Sequence, residues 1–339
     1  MNITQKKLYL IALLVSLSFT VLCTGFYIYE VLFHYDPFLG LFDAGMLSEI
    51  FLPLLYILAV VVFVVFAFLF RGSLQERAHK TSLPNMFAAG FAAFSTAVFV
   101  ISFAIDFFAE PHDTMQSVFG FLLMGFGVIA ALYFAHSVSP RASGTRATLL
   151  CMGTVLFCLC YAFFAYFDTA FSLGSPLKIM DQLTFLVLVL FFLAEVRFRF
   201  GAICEAFFFP ICMTATLLCG AGSITGIVYM AVEGRPLVVL MMRDFLLFGI
   251  FLYALTKQIS FLVPAFAPVA GDGESSAFTA EETDAAPTPS VSPFAQETFD
   301  LDTDAQDEDL SLVSDEEPAD EDGENIGEAD LDLSTSDNQ

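Results

Sequence analysis

Basic residues are scarce in this chain, and its last fifth has none at all. Lys and Arg together number 13, His numbers four, and residues 271–339 contain none of the three. Proteins that bind nucleic acid neutralise phosphates with clustered Lys and Arg, so this composition excludes nucleic acid as a partner. The segment 271–339, the acidic tail, also holds 23 of the 37 acidic residues, so the formal charge of −24 belongs almost entirely to it.

Charge of either sign is sparse ahead of the tail. Residues 1–270 hold 14 acidic against 13 basic residues in a chain that is 57% hydrophobic, with mean hydropathy +0.75 and 42 Phe. Too few polar side chains remain to coat a soluble globule. Backbone groups inside lipid must pair within helices or a closed barrel, and these apolar runs lack the alternation of barrel strands. The sequence predicts an all-α, polytopic transmembrane helical bundle.

The apolar runs are long enough for about eight membrane spans. An α-helix needs roughly 20 residues to cross about 30 Å of hydrocarbon. The predicted spans are about 8–30, 50–70, 86–108, 115–137, 147–167, 180–196, 203–232 and 237–262. The sixth is short, so seven spans with a re-entrant piece is the alternative.

The loops between these spans differ in basic residues, and this predicts the orientation. Ten Lys and Arg fall on the side of the N-terminus and three on the other, alternating with the spans. Cytoplasmic loops carry the excess of Lys and Arg. We therefore expect a multi-pass plasma-membrane protein with both termini in the cytoplasm and the lipid bilayer as its main surrounding partner.

Sequence motifs for catalysis and cofactor binding are missing. The chain has no H-E-x-x-H, G-x-S-x-G, Walker loop or G-x-G-x-x-G. Its seven Cys include no C-x-x-C pair and fall in or beside apolar spans, which favours buried, unreactive thiols. Residues 34–36 and 110–113 combine His with acidic residues, but ordinary solvated loops explain them. The sequence predicts no metal site, no cofactor and no enzyme.

Four residues near the predicted cytoplasmic ends of spans six and seven are candidates for function. Glu195 and Arg199 are four residues apart, which predicts a salt bridge at the membrane edge. Glu205 precedes Pro210 in span seven. If Glu205 lies deep in the bilayer, it is a candidate proton-coupled or substrate-binding carboxylate, because intramembrane carboxylates are usually functional. Pro210 predicts a kink or break in that helix.

The composition divides the chain into residues 1–267, the helical domain, and 268–339, a disordered cytoplasmic segment. Pro, Gly, Ser, Thr, Asp and Glu dominate the tail, so it cannot bury enough apolar surface to offset the entropy of ordering. Isolated apolar residues such as Phe299 and Leu312 lie among the acids. Such a segment either docks on a basic cytoplasmic protein or acts only as a solvating brush.

A short part of the chain resembles a known group of proteins. Residues 174–179, GSPLKI, lead into a helix that ends with FFLAEVRF at residues 191–198. This pattern, over about 25 residues, is similar to that of uncharacterised multi-spanning proteins of Gram-positive anaerobic bacteria. The resemblance implies a bacterial plasma-membrane protein and names no activity and no site residue.

Two functions follow from these features. The large, one-sided charge of the tail favours a membrane sensor or interaction hub that recruits basic cytoplasmic partners. The number of spans, together with Glu205 and Pro210, supports the alternative of a transporter or channel for a small solute.

Overall fold

The described part of the chain folds into eight α-helices, and their bounds agree closely with the predicted spans. The structure, a computed structural model, describes residues 3–36, 41–42, 50–70, 83–109, 111–139, 145–168, 175–199, 205–238 and 240–260. The helices are α1 (Ile3–Phe33), α2 (Leu52–Phe70), α3 (Leu83–Ala109), α4 (Thr114–Ser137), α5 (Thr145–Phe167), α6 (Pro176–Arg199), α7 (Glu205–Glu233) and α8 (Arg243–Ser260). The acidic tail lies outside the described residues.

Seven of these helices, α1 to α7, are long and apolar enough to cross a membrane, which confirms the predicted polytopic helical bundle. The eighth is 18 residues long and carries Arg243, Asp244 and Lys257. It begins six residues later than the sequence predicted. Gly234 ends α7 with a φ of 69°, a left-handed conformation that glycine adopts without a Cβ penalty, and Pro236 follows it.

Helices α3 to α8 form a closed ring in which each packs against the next and α8 packs against α3. Helices α1 and α2 pack against each other and against α7, and they are not members of this ring. Successive helices run in opposite directions, so α4, α6 and α8 are parallel and occupy alternate positions. We call the end where α1 begins and α8 ends the terminal end, and the other the opposite end.

Small residues bring α8 close to both of its neighbours in the ring. A Cβ atom added at Gly249 of α8 would meet the Ser95 side chain and, at 3.1 Å, the Ala92 Cα atom of α3. A Cβ atom at Gly226 of α7 would overlap the carboxylate of Asp244. The G-x-x-x-G at residues 222–226 therefore serves packing inside the bundle.

A short antiparallel hairpin follows α1 at the opposite end. Strand β1 (Tyr35–Asp36) pairs with β2 (Leu41–Phe42), with Tyr35 opposite Phe42. The Tyr35 ring also makes an edge contact with Tyr229 of α7. Burial, followed by the neighbouring Tyr229, raises the pKa of the Tyr35 phenol to about 12. This hydroxyl therefore stays neutral at physiological pH.

Candidate functional site

Helix α8 carries its charged residues near its two ends, and all of them are buried. Arg243 and Asp244 open the helix, Lys257 lies near its end, and none of the three is more than 8% exposed. A charge in a low-dielectric interior is costly unless it is paired and hydrogen-bonded. The observed partners of the two cations include a carboxylate of α6 at each end of the ring.

At the terminal end, Lys257 pairs with Glu195 of α6. The Lys257 Nζ atom lies 2.8 Å from Glu195 Oε1, and the Tyr253 hydroxyl donates a hydrogen bond of 2.7 Å to the same oxygen. The Lys257 ammonium also lies 5.0 Å from the centre of the Tyr253 ring. Glu195 is 0% exposed. It lies four residues before the end of α6, which is about 6 Å along the helix axis.

An aromatic layer covers this ion pair on the side facing the middle of the bundle. It consists of Tyr133, Phe134, Phe191, Phe192 and Tyr253. The hydroxyls of Tyr133 and Tyr253 lie 3.1 Å apart, which extends the hydrogen-bond chain from Glu195 to α4. These side chains come from α4, α6 and α8, the alternate members of the ring, so the layer fills the centre of the ring at this level.

A neutral polar contact joins α7 to α8 beside the same ion pair. The Gln258 amide Nε2 donates to the Thr216 hydroxyl at 2.6 Å and to the Cys212 carbonyl at 3.1 Å. The Cys212 thiol in turn donates to the Ala254 carbonyl at 3.1 Å. Gln258, Thr216 and Cys212 are fully buried. Their hydrogen bonds hold α7 against α8 near the level of Lys257.

At the opposite end, Arg243 lies between two carboxylates. Its Nη2 atom is 2.6 Å from Asp181 Oδ1 of α6, and its Nη1 atom is 3.4 Å from Asp244 Oδ1. All three side chains are buried. A guanidinium presents several donors in a fixed plane, so one Arg can serve two carboxylates. Asp244 also packs against Gly226, where a larger residue would displace it.

A small cavity of about 20 Å³ lies beside Asp181. Its lining includes Tyr161, Asp168, Lys178 and Asp181. Lys178 is 6% exposed, and its ammonium donates to the backbone carbonyl of Asp168. A cavity of this size holds one water-sized group. Its lining therefore combines one Lys, two Asp and two aromatic residues, Tyr161 and Phe164, beside the buried Asp181–Arg243 pair.

The two ion pairs have the same construction and connect the same two helices. Asp181 and Glu195 are 14 residues apart in α6, and Arg243 and Lys257 are 14 residues apart in α8. That spacing is about 21 Å along a helix axis, most of the roughly 30 Å hydrocarbon layer. Helix α7 lies between α6 and α8 in the ring. The side chains of both pairs therefore meet across the interior of the ring. The pairs therefore lie at the two ends of one central axis.

The structure places the four sequence-predicted residues at the terminal end. Glu205 is the first residue of α7, and Arg199 is the last residue of α6. The side chains of both lie outside the described residues, so their proposed roles remain predictions. Pro210 lies inside α7, which continues through it from Glu205 to Glu233. The helix is therefore continuous at Pro210, and the predicted kink stays a prediction.

The structure gives Glu195 a partner that the sequence did not indicate. Glu195 is fully buried and binds Lys257 of α8, whereas its predicted pair with Arg199 stays a prediction because the Arg199 side chain lies outside the described residues. The i,i+4 pattern identifies neighbours on one helix, but it contains no information about a partner 62 residues away. The equal 14-residue spacings, from Asp181 to Glu195 and from Arg243 to Lys257, are the sequence signal that could have linked these residues.

The cysteines and metal ligands add no further site. Six Cys residues, at 23, 151, 158, 160, 212 and 219, are buried and free of disulfides, which agrees with their predicted packing role. Cys204 lies outside the described residues. Among the residues that the structure describes, no group of three or more His, Cys, Asp or Glu side chains could hold a metal ion.

Comparison of the chain with protein-family models, with curated proteins and with solved structures finds no match in any of the three. The functional interpretation therefore rests on the side chains described above.

Proposed function

We propose that this protein is a membrane carrier for a small solute, in which the two buried ion pairs close the ends of a shared path in turn. The observation that supports this proposal is the placement of Asp181–Arg243 and Glu195–Lys257 at opposite ends of the same two helices. Ionisable residues inside membrane spans usually mark a solute or ion pathway. A carrier needs a closure at each end, and each pair supplies one.

Stability alone is a poor explanation for these pairs. Buried ion pairs are often no more stabilising than well-packed apolar side chains of the same volume, because desolvation offsets their attraction. A pair does, however, give a contact with two distinct states, closed when the charges meet and open when each is solvated. Opening both ends at once would separate both ion pairs together, so the energetics favour alternation over a continuous channel.

Three buried thiols allow this alternation to be tested with single-cysteine versions of the chain. Cys212 lies beside the Glu195–Lys257 pair. Cys219 lies one turn from Gly222, which is close to Arg243. Cys23 belongs to α1, outside the ring. The predicted topology places the terminal end in the cytoplasm. A membrane-impermeant maleimide, added to one side of oriented vesicles, then reports which end is open.

We expect Glu195→Gln to increase labelling of Cys212 from the cytoplasmic side at least tenfold, and Asp181→Asn to increase labelling of Cys219 from the outside. The physical reason is that each substitution removes the α6 carboxylate that holds a cation of α8 in the closed contact, which favours the solvated, open state of that end. Cys23 should remain unlabelled in both variants. Labelling of one thiol from both sides would indicate a channel, and unchanged labelling in both variants would contradict the carrier.

The acidic tail supports a second candidate function, a membrane sensor or interaction hub. Its 69 residues hold 23 acids and no basic residue, a composition suited to docking on basic cytoplasmic proteins. We expect affinity purification from gently solubilised membranes to recover basic partners with the full chain and to lose them with a chain ending at Pro268. Identical partner sets for the two chains would show that the tail is only a solvating brush. As a control, Glu205→Gln should leave partner recovery unchanged.

A further inference from the structure

Each closure of the bundle combines opposite charges in near-equal number. The terminal end has the Glu195 carboxylate against the Lys257 ammonium. The opposite end has Asp181 and Asp244 against Arg243, with Lys178 one turn from Asp181 on α6. A path for simple anions or cations would be expected to carry one sign of charge along its lining. Here both signs occur at both ends.

Opening such a pair separates a carboxylate of α6 from a cation of α8, and each then needs water or a solute group in place of the other. At the opposite end Asp244 stays beside Arg243. A monovalent cation entering the path would compensate only the carboxylate, and a monovalent anion only the ammonium or guanidinium. A solute with an ammonium group and a carboxylate compensates both at once, with no net charge added to the site. The charge balance of the closures therefore selects for a zwitterion.

The cavity beside Asp181 already provides a place for one end of such a solute. Its volume of about 20 Å³ accommodates one water-sized group, and an ammonium group has that size. Asp168 and Asp181 supply carboxylates to its wall, and the Tyr161 ring supplies an aromatic surface that also attracts cations. Lys178 in the same wall, and Arg243 beyond Asp181, are positioned to receive a carboxylate.

We propose that the transported solute is a small zwitterion of the amino-acid type. Its ammonium replaces Arg243 as the partner of Asp181, and its carboxylate binds Arg243 or Lys178. This proposal rests on the carrier function proposed above. The aromatic layer between the closures, which includes Phe191 and Phe192, would contact the apolar remainder of the solute during passage.

The test is uptake by proteoliposomes that contain the full chain. The probes are the twenty common L-amino acids, supplied first as a radiolabelled mixture and then singly. Each amino acid that accumulates is then challenged by two competitors, the acid that lacks its amino group and the amine that lacks its carboxylate. We expect each competitor to inhibit uptake at least tenfold less well than the unlabelled amino acid. Equal inhibition by either competitor would overturn the zwitterion proposal.

Asp181→Asn separates recognition from folding. The quantity to compare is the ratio of two inhibitory strengths, that of the unlabelled amino acid and that of the competitor without an amino group. In this variant the ratio should fall at least fivefold. A merely structural role of Asp181 would lower uptake without changing the ratio. Asp113→Asn is the control, because Asp113 is an exposed carboxylate at the same end of the bundle. An unchanged ratio in Asp181→Asn would overturn the assignment of Asp181 to the ammonium.

The two proposals fail in different ways. If none of the twenty amino acids accumulates while the thiol labelling still alternates between the two ends, the carrier stands and the zwitterion is wrong. If labelling does not alternate and no uptake occurs, the carrier itself is wrong.

Discussion

Replacing Arg243 with glutamine is expected to destabilise the bundle more than any other single charge removal described here. One guanidinium serves both Asp181 and Asp244, at 2.6 Å and 3.4 Å, and all three side chains are buried. Removing one partner of a buried pair costs about 3–5 kcal/mol, because the other charge is left uncompensated. Here two carboxylates lose their cation, so we expect a loss at or above the top of that range.

Such a loss is large against a total stability of about 5–15 kcal/mol, so the variant should unfold well below the temperature of the unmodified chain. The measurement is thermal unfolding of the purified protein in detergent. The triple variant Asp181→Asn, Arg243→Gln and Asp244→Asn should recover much of the loss, because it removes the excess negative charge. Arg235→Gln is the control, since Arg235 is exposed at the same end. An Arg243→Gln protein as stable as this control would contradict the ion-pair assignment.

Replacing Lys257 with methionine is expected to reduce the free energy of unfolding by about 3–5 kcal/mol. Methionine keeps most of the apolar stem of lysine, so the change tests the charge more than the packing. The Glu195 carboxylate would retain the Tyr253 hydroxyl at 2.7 Å but lose the Lys257 ammonium at 2.8 Å. The same thermal unfolding assay reports this loss.

The double variant Glu195→Gln and Lys257→Met distinguishes an ion pair from a packing contact. Glutamine is neutral and still accepts the hydrogen bond from Tyr253, so the double variant should be at least 1 to 2 kcal/mol more stable than Lys257→Met alone, on the order of the coupling between contacting residues. Lys7→Met, at an exposed position near the same end, should have little effect. A double variant less stable than Lys257→Met would show that charge compensation is not what holds these residues together.

Much of the architecture was predictable because the bilayer imposes a simple rule on sequence. Lipid requires each backbone polar group to be paired within its own helix, and a helix of about 20 apolar residues is the unit that achieves this. Hydropathy therefore located α1 to α7 to within several residues. The eighth helix was placed less well because Gly234 and Pro236 end α7 and delay its start.

The candidate site was only partly predictable. The i,i+4 spacing from Arg199 indicated Glu195, but such a pattern cannot show a partner on another helix such as Lys257. Pro210 was expected to mark a kink or a start outside the bilayer, and α7 continues through it. Neighbouring helices in lipid readily stabilise a Pro-containing span, so a Pro inside an apolar run does not by itself end the helix.

The membrane-spanning helices, the buried thiols and the negative charge after residue 270 could be predicted from the sequence, because each depends on local composition. The ring of α3 to α8 is visible only in the folded bundle. The same holds for the contacts of two cations of α8 with two carboxylates of α6 across that ring. A charge inside a membrane needs a partner of opposite charge, but the sequence does not identify that partner. The partner depends on how the helices pack, and the packing depends on close contacts such as Gly249 against Ala92 and Gly226 against Asp244.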